Sequence, residues 1–537
     1  MLVASLAAVA GCSSSAGGPV TSSSGPDDAP SAADPAAAAA AIVNKLSDVD
    51  LVGQVLMPSV NLSDPPAGSA ALVTKYHLGG LVLMGDVENT TAGGTATQVK
   101  ALTDAVRAAS KAVGTVAGIT ADPLVATDQE YGWVTRIKSG IVQLPSAMAF
   151  GAAARPDLTE AAWKGAGTEL AAVGINVDFA PDADVIGPSG NLVIGSRSYG
   201  GDPAAVATQV GAAVKGLQAA GVAATLKHFP GHGHTTTNSH DALPVLGQTR
   251  SALATGDLPP FQAGIDAGTM LVMSGHLDVR SIDPGTPASF SHKLLVDLLR
   301  GQLKFGGVVV TDALNMEPPK QQGAAGEAAV KALLAGNDLL LMSPDLAAAQ
   351  KGLLDALASG RIPRPRMLEA ATRVMTLRLR LTASAQAGLP TVDAAANRNA
   401  ALQLAAAAVT VLKGSCDGAL VKGGVRVTAS PGRAQQTQWL VAALKAQGVT
   451  IAASGGQVVH LVGYGDKASE LAAGATVTVG MDTPYLLNSA TSAVRIATYS
   501  STQVSMEALA AVLAGKAKAA GRSPVPVTGL PASACGT

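Results

Sequence analysis

Residues 223–228, with the sequence AATLKH, decide the fold class, because a short apolar run ends there in Lys227 and His228. Between residues 41 and 385, runs of this kind alternate with longer stretches of helical pattern. Such alternation is typical of repeated βα units and predicts an α/β fold. The predicted strands are the eight runs at residues 55–57, 80–84, 124–127, 177–180, 223–227, 270–274, 308–311 and 338–342.

The number of units and the position of the polar side chains favour a closed barrel over a doubly wound open sheet. Eight units over about 250 residues or more suit a (β/α)8 barrel, which carries its chemistry at the carboxyl ends of several strands. An open sheet would favour a glycine-rich phosphate turn after its first strand, and none follows Met57. Polar residues end or follow five of the runs: Asp128, Asp182, Asp184, Lys227, His228, His276 and Asp312. We therefore predict a (β/α)8 TIM-type barrel over residues 41–385.

A second domain is predicted after the barrel. Residues 383–397 are expected to form a linker, since they include Gly388 and Pro390. Beyond the linker, helical patterns alternate with strand-like runs at residues 409–412, 425–429, 458–462, 476–479 and 494–498. This pattern predicts a second α/β sandwich domain over residues 386–537. Within the barrel, Asp157 is expected to cap a helix over residues 158–173.

The first residues predict export. They form a short apolar run that ends in Val9-Ala10-Gly11-Cys12, which resembles a bacterial lipobox with Cys12 as the acylated residue. The run is too short to cross a bilayer as a helix. We expect residues 1–12 to be a lipoprotein signal segment and residues 13–40 to be a flexible tether. The protein is then exported and anchored to the outer face of the cell membrane by lipid on Cys12.

Cysteine usage agrees with export. Once Cys12 carries lipid, Cys416 and Cys535 remain as an even pair in an oxidising compartment. We predict a disulfide between them, which would tie the C-terminal tail to the first strand region of the second domain. Two unpaired buried thiols are the alternative.

The overall charge excludes one class of partner. Proteins that bind nucleic acid carry a basic patch or stripe, which attracts phosphate groups. The formal net charge here is -1 and charged residues make up 14% of the chain, with no basic stripe. We expect no nucleic-acid partner.

Residues 227–240, KHFPGHGHTTTNSH, hold four histidines together with glycines and a proline. A polar loop at the end of a strand is a common place for proton transfer and ligand binding, so we interpret it as catalytic. A structural loop is one alternative. Another is zinc bound by His228, His232, His234 and His240, but catalytic zinc sites usually take ligands from rigid elements or in known short spacings. We therefore predict no metal and no cofactor.

Two further constellations carry possible chemistry. In GVVVTDALNM, residues 307–316, a buried strand delivers Asp312 at its end, which suits a nucleophile, although an ordinary helix N-cap is the alternative. Asp128 with Arg136, and Arg197 on another loop, combine carboxylate and guanidinium groups that suit the hydroxyl groups of a sugar. Surface salt bridges are the alternative for those residues.

At these residues the chain resembles the glycoside hydrolase family 3 β-N-acetylglucosaminidases, from about residue 51 to residue 342. The motifs that carry the resemblance are KHFPGHG with a downstream SH, VVVTDALNM, GINVDFAP, AGNDLLLM and IGSRSYG. The resemblance implies a (β/α)8-type barrel and retention of the anomeric configuration. A second α/β domain is similar to the two-domain members from Gram-positive bacteria.

The resemblance also implies the roles of individual residues. Asp312 would be the nucleophile and His240 the general acid/base, in a two-step displacement. The residues that would bind N-acetylglucosamine in the −1 subsite are Asp128, Arg136, Arg197, Lys227 and His228. The expected activity is the release of terminal β-linked N-acetylglucosamine, from muropeptides derived from peptidoglycan, with either water or phosphate as acceptor.

The sequence departs from the family pattern at two places. Asn238 stands where the family has an aspartate that orients the catalytic histidine, so the protonated imidazole should be less stable and turnover reduced. We expect the amide oxygen of Asn238 to accept from the ring, and Asp241 is a possible source of the missing charge. Residues 131–133, Tyr-Gly-Trp, stand where the family commonly has Gly-Gly-Arg, which changes the rim of the pocket.

Two other functions are compatible with these residues. A β-glucosidase or β-xylosidase of the same family is the nearest enzymatic alternative, although those enzymes lack the histidine loop. A wall-sugar-binding lipoprotein that has lost turnover is the alternative from another class, with Asn238 as its basis.

Overall fold

The computed structural model describes residues 34–85, 94–187 and 191–536, and within them eight parallel strands close into a barrel. These strands are β1 (Leu56–Met57), β2 (Gly80–Met84), β3 (Leu124–Thr127), β4 (Val177–Asp178), β5 (Ala223–Phe229), β6 (Leu271–Ser274), β7 (Val308–Thr311) and β8 (Leu340–Leu341). Each predicted run contains one of them.

The strands pair in sequence order around the barrel. β1 is continued after Pro58 by Ser59–Asn61, which pairs with β2, and every later strand pairs with the next as far as β7. Val310 in β7 bridges Leu339, and β8 pairs with β1, with Leu340 opposite Leu56. The sheet therefore closes on itself, which confirms the (β/α)8 barrel.

Helices surround the barrel and connect its strands. The helices up to residue 386 are α1 (Pro35–Val43), α2 (Asp48–Gln54), α3 (Pro66–Tyr76), α4 (Ala96–Ala117), α5 (Ala147–Ala153), α6 (Pro156–Ala172), α7 (Pro203–Ala219), α8 (Arg250–Gly256), α9 (Leu258–Asp266), α10 (Glu317–Lys320), α11 (Ala325–Ala335), α12 (Leu346–Ala358) and α13 (Arg364–Gln386), with a π-helix at Lys293–Gln302. The strands they cover are buried on both faces, which explains continuous apolar runs such as Val308–Thr311.

A second sheet lies beyond the barrel, with five strands in the described part of the chain. Its strands are β9 (Thr410–Lys413), β10 (Val425–Ala429), β11 (Gln457–Val462), β12 (Val477–Gly480) and β13 (Val494–Ala497), and its helices are α14 (Ala394–Ala408), α15 (Ala434–Ala446) and α16 (Gln503–Leu513). The order is β9-β13-β12-β11-β10, and only the β9–β13 pair among these described strands is antiparallel. A second α/β layer therefore follows the barrel, as predicted.

A disulfide joins Cys416, just after β9, to Cys535 in the C-terminal tail. The predicted domain boundary between residues 385 and 386 falls at the end of α13. The exact boundary stays a prediction, because residues from Pro35 onward form one compact body.

Three local predictions were wrong. Residues 35–40 belong to α1 and not to a tether, since Pro35 suits a first helical position and the alanines that follow favour helix. The linker is shorter than predicted, because α13 continues to Gln386 and α14 begins at Ala394. Asp157 does not cap α6, which starts at Pro156, so Asp157 lies inside the first turn.

The predicted signal segment, with Cys12, lies outside the described residues. Among the helices that the structure does describe, none has both the length and the apolar character needed to cross a membrane.

Candidate active site

Polar side chains gather at the carboxyl end of the barrel, where this fold carries its chemistry. Asp128 directly follows β3, Lys227 and His228 lie near the end of β5, and Asp312 directly follows β7. Arg197 comes from the loop between β4 and β5. These residues were predicted to bind or attack the substrate, and they share one end of the barrel.

Lys227 is buried between two carboxylates. Its Nζ donates to Asp128 Oδ1 at 2.8 Å and lies 2.6 Å from Glu130 Oε1, while its side chain is only 2% exposed. A buried cation of this kind needs paired charges to offset the loss of its hydration. Lys227 therefore fixes the position of two acidic groups at the floor of the site.

Arg197 and Arg136 extend the same network. Arg197 Nε donates to Glu130 Oε2 at 2.7 Å and lies 3.1 Å from Asp182 Oδ2. Arg136 Nη2 lies 3.7 Å from Asp128 Oδ2, and its buried Nε has no hydrogen-bond partner among the described residues. That free donor is available to a ligand.

The charges of the network stabilise one another. Burial alone would raise the pKa of Glu130, but Arg197 and Lys227 lower it well below its usual value. Burial lowers the pKa of Lys227, and the charges of Asp128 and Glu130 outweigh that effect, so the pKa rises above its usual value. Both groups are therefore charged at neutral pH.

His228 is held as a neutral ring. Burial lowers its pKa, and Nδ1 lies 2.9 Å from Asp184 Oδ2. We assign the ring proton to Nδ1, which donates to Asp184, and this leaves the lone pair of Nε2 facing Arg197 Nη2 at 3.4 Å. Asp184 Oδ1 also accepts from the backbone N–H groups of His228 at 3.2 Å and His232 at 2.7 Å.

Asp312 is a half-buried, ionised carboxylate. Its backbone N–H donates to the Ser274 carbonyl at 2.9 Å, and its Oδ1 accepts from the Ala313 N–H at 2.7 Å. Burial alone would raise its pKa, but the positive charge that His276 and His228 gain when they are protonated in acid, followed by the Ala313 N–H and His240, lowers it below the usual value. A rigid, charged carboxylate suits a nucleophile.

His276 supports the turn that carries Asp312. Burial lowers its pKa, so the ring is neutral; its Nδ1 lies 2.6 Å from Ser289 Oγ and its Nε2 lies 3.0 Å from the Ala313 carbonyl. The carbonyl can only accept, so Nε2 carries the proton and the Ser289 hydroxyl donates to Nδ1. Sequence reasoning placed His276 at a strand end but gave it no role.

The loop that follows β5 brings His240 to the same end of the barrel. His240 is exposed, and a proton on its ring would lower the pKa of both Asp312 and His276. Asn238 Oδ1 accepts from the backbone N–H of His240 at 3.0 Å. The prediction that this amide oxygen accepts from the imidazole was therefore wrong, because a short side chain two residues earlier closes a local Asx turn.

Asp241 does not replace the missing carboxylate. Its side chain is exposed, and no ion pair or hydrogen bond joins it to the His240 ring in the described part of the loop. The backbone N–H of Asp241 donates to the Asn238 carbonyl at 3.0 Å, which continues the turn.

The other two histidines of the loop have separate environments. His232 is 2% exposed with neither ring nitrogen hydrogen-bonded within the described structure, and burial lowers its pKa to about 3. His234 Nδ1 lies 2.8 Å from Asp257 Oδ1, and this hydrogen bond raises the pKa of His234. At Gly233 a Cβ would lie 1.8 Å from the Val185 carbonyl oxygen, so only glycine fits there.

The four histidines considered as zinc ligands do not converge on one point. Over the described ranges, the grouping with metal-ligand spacing is Asp182, Asp184 and His228. Its carboxylates already contact Arg197 and two backbone N–H groups, and the guanidinium opposes a further cation.

The sequence placed Glu130, Asp182 and Asp184 near strand ends, but they were not predicted to be site residues. Glu130 lies two residues after Asp128 in the stretch TDQE, and the two aspartates follow β4. Buried carboxylates at strand ends were the available signal.

Comparisons with known proteins agree with this geometry. The sequence profile described as "Glycosyl hydrolase family 3 N terminal domain" matches residues 49–377. A β-hexosaminidase of Pseudomonas aeruginosa is 38% identical over 276 residues, which cover 51% of this chain and 78% of the relative. The β-hexosaminidase LpqI of Mycobacterium tuberculosis is 33% identical over 343 residues, covering 62% of this chain and 83% of the relative.

A solved structure resembles the chain across both sheets. It is the family 3 β-N-acetylglucosaminidase from a Paenibacillus species, with a TM-score of 0.79 and 30% sequence identity. The match covers 90% of this chain and 99% of that protein.

Proposed function

The chain belongs to glycosyl hydrolase family 3 and is an exo-β-N-acetylglucosaminidase, and we propose that it acts with retention through Asp312 and His240 on muropeptides derived from peptidoglycan. One observation carries the catalytic assignment. The ionised carboxylate of Asp312 lies at the same barrel end as the buried cluster around Lys227, and close enough to His240 for that side chain to lower its pKa.

The buried cluster is suited to a sugar. Asp128 and Glu130 accept hydrogen bonds, Lys227 and Arg197 donate them, and all four are fixed by mutual ion pairs. Sugar hydroxyl groups both donate and accept hydrogen bonds, so a sugar ring that displaces water here can pair with the donors and the acceptors of the cluster. Arg136, whose Nε is unpaired, is a further donor to the terminal sugar.

The reaction takes two steps. Asp312 attacks the anomeric carbon as His240 gives its proton to the leaving oxygen, so the glycosidic bond breaks and a glycosyl ester forms on Asp312. His240 then takes a proton from water, which attacks the same carbon and releases the sugar and the Asp312 carboxylate. Two inversions give net retention.

The cellular setting is also part of the proposal. Val9-Ala10-Gly11-Cys12 resembles a lipobox, and the Cys416–Cys535 disulfide suits an oxidising compartment. We infer an enzyme that is exported and held at the outer face of the membrane by lipid on Cys12. Substitution of Cys12 by alanine should move the protein from the membrane fraction to the soluble fraction. An unchanged membrane fraction would contradict the anchor.

One observation favours a second candidate function. Asn238 Oδ1 accepts a hydrogen bond from the backbone N–H of His240, and the imidazole of His240 has no carboxylate partner in the described loop. A wall-sugar-binding protein with little turnover would fit that arrangement.

Release of nitrophenol from 4-nitrophenyl N-acetyl-β-glucosaminide tests the assignment. Asp312→Asn keeps the side-chain shape but removes the nucleophile, so kcat should fall by at least about 1,000-fold. Asp297→Asn, at a side chain that is 61% exposed, is the matched control and should retain full activity. The first sugar product, observed by NMR, should be the β-anomer.

Two results would decide against this assignment. Equal turnover by Asp312→Asn and the wild type would remove Asp312 as nucleophile, whereas an α-anomeric first product would exclude retention. Tight N-acetylglucosamine binding with no release would favour the sugar-binding candidate. Release of N-acetylglucosamine from purified muropeptides tests the natural substrate.

A further inference from the structure

The loop that carries His240 is held mainly at its two ends. It leaves the barrel after Phe229, the last residue of β5, and returns to regular structure at the short strand Val245–Leu246. In the described structure, the hydrogen bonds of residues 235–243 join loop residues to one another, as in the turn around Asn238. The position of the His240 ring therefore depends on how the ends of the loop are held.

One buried carboxylate contacts both ends of this loop. Asp257 lies at the junction of α8 and α9 and is fully buried. Its Oδ1 lies 2.8 Å from Nδ1 of His234, near the start of the loop. Its Oδ2 accepts from Nε2 of Gln248 at 2.7 Å, two residues after the short strand. A carboxylate only accepts, so we assign the ring proton of His234 to Nδ1, and each oxygen of Asp257 then holds one end of the loop.

The main chain at the start of the loop also packs directly on Asp257. Gly231 has a φ of +129°, and a Cβ there would lie 2.7 Å from Asp257 Cβ and 2.8 Å from Asp257 Oδ1. Any other residue at this position would push the carboxylate away from its partners. Glycine therefore allows the close approach between the loop and Asp257.

The side chain of Asp257 has few other partners. Within the described residues its ion pair is with His234, which is 21% exposed, and no lysine or arginine pairs with it. A buried carboxylate without donors costs free energy, because it has lost its hydration. The bonds to His234 and Gln248 offset that cost, so separation of either loop end from Asp257 is unfavourable.

We propose that Asp257 is a positioning residue for the reaction. By holding both ends of the loop, it fixes the distance from the His240 ring to the leaving oxygen of the bound substrate. The inference rests on the proposed function, in which His240 is the general acid/base. Misplacement of a catalytic group by about 1 Å can lower a rate about 100-fold, so a residue that touches no substrate can still govern turnover.

The dependence of the rate on the leaving group tests this role, because a general acid matters only where the leaving oxygen needs a proton. The value of kcat/KM is measured on phenyl and on 2,4-dinitrophenyl N-acetyl-β-glucosaminide. His234→Ala, which removes the bond to Asp257, should lower kcat/KM about 10- to 100-fold on the phenyl substrate and less than about threefold on the dinitrophenyl substrate. His234→Asn keeps a nitrogen donor in the place of Nδ1, so both values should stay within about threefold of the wild type.

Azide gives a second readout on the dinitrophenyl substrate. In His234→Ala the glycosyl ester on Asp312 should form readily and react slowly with water, because the base is misplaced. Azide needs no base: its nitrogen bonds to the anomeric carbon, the carbon–oxygen bond to Asp312 breaks, and the electron pair returns to the carboxylate. Sodium azide should therefore raise kcat of His234→Ala about tenfold, with the β-glycosyl azide as product, and leave kcat of the wild type unchanged.

Asp257→Ala removes both bonds and should show the same pattern at least as strongly. Its matched control is Asp50→Ala, because Asp50 also pairs with a histidine, His77, at 2.6 Å, but lies on α2 before the first barrel strand. The control should keep kcat/KM on both substrates within about twofold of the wild type. The His234 variants probe the same contact at a partly exposed side chain, so the result does not depend on the folding of Asp257→Ala.

Equal losses on the two substrates in His234→Ala, or equal kcat/KM in His234→Ala and His234→Asn, would overturn the positioning role. His240→Ala separates this outcome from a failure of the proposed function. A leaving-group dependence in His240→Ala that is absent from His234→Ala would overturn the positioning role alone. Full activity of His240→Ala on the phenyl substrate would overturn the acid/base assignment and the inference with it.

Discussion

Asn238 Oδ1 accepts a hydrogen bond from the backbone N–H of His240 at 3.0 Å, so the residue expected to orient the imidazole holds the loop instead. The ring of His240 is exposed and has no carboxylate partner in the described part of the site. The proposed acid/base is therefore positioned through its backbone and not through a contact to its ring.

A carboxylate at position 238 should improve the enzyme. Asn238→Asp can keep the bond to the His240 backbone while its negative charge stabilises the protonated imidazole. We expect kcat to rise about tenfold at neutral pH and the basic limb of the pH profile to move to higher pH. Steady-state kinetics from pH 5 to pH 8 measures both. Asn238→Ala, which removes the hydrogen bond to the His240 backbone, should lower kcat. Equal kcat in Asn238→Asp and the wild type at every pH would disprove the claim that Asn238 reduces turnover.

Removal of Lys227 should destabilise the barrel. Lys227→Met leaves Asp128 and Glu130 buried without their shared cation, and breaking such a pair costs about 3–5 kcal/mol. We expect a clearly lower midpoint in thermal and urea unfolding. Lys351→Met is the control, since that side chain is 76% exposed and its ion pair contributes little. An unchanged midpoint in Lys227→Met would show that water replaces the cation.

Much of the fold could be predicted because it depends on hydrophobic pattern. Buried parallel strands need continuous apolar runs, so the run at residues 308–311 identifies β7 and places Asp312 at its carboxyl end. The barrel topology then brings Asp128 and Lys227 together from distant parts of the sequence. Helix ends were harder to predict, because Pro156 and Asp157 are both good first-turn residues.

Hydrogen-bond partners in the site could not be predicted from the sequence. The amide of Asn238 can reach either the ring or the backbone of His240, and the conformation of the loop decides between them. The role of Glu130 also depends on the folded structure. Its carboxylate, two residues after Asp128, becomes part of the site only because Lys227 and Arg197 pack against it.

Loss of the disulfide should weaken the second sheet region and spare the chemistry. Cys416 and Cys535 are 119 residues apart in the sequence, so the bond restricts a long loop in the unfolded chain. We expect Cys416→Ser with Cys535→Ser to reduce the free energy of unfolding by about 2–5 kcal/mol, with nitrophenyl glycoside turnover retained at 25 °C. Thermal unfolding with and without reductant measures the effect. Identical midpoints under both conditions would contradict it.

His232 should make the stability of the protein depend on pH. Burial lowers its pKa to about 3, whereas an unfolded histidine has a pKa of about 6.5, so the unfolded state binds more protons between these values. The free energy of unfolding is therefore highest above about pH 6.5 and falls as the pH decreases toward 3. From pH 6.5 to pH 5 this residue should account for a loss of about 2 kcal/mol. His232→Gln should reduce the fall in urea midpoint over this range, whereas His292→Gln, at a side chain 64% exposed, should leave it unchanged. A pH dependence that is the same in His232→Gln and the wild type would mean that the buried ring is not held neutral.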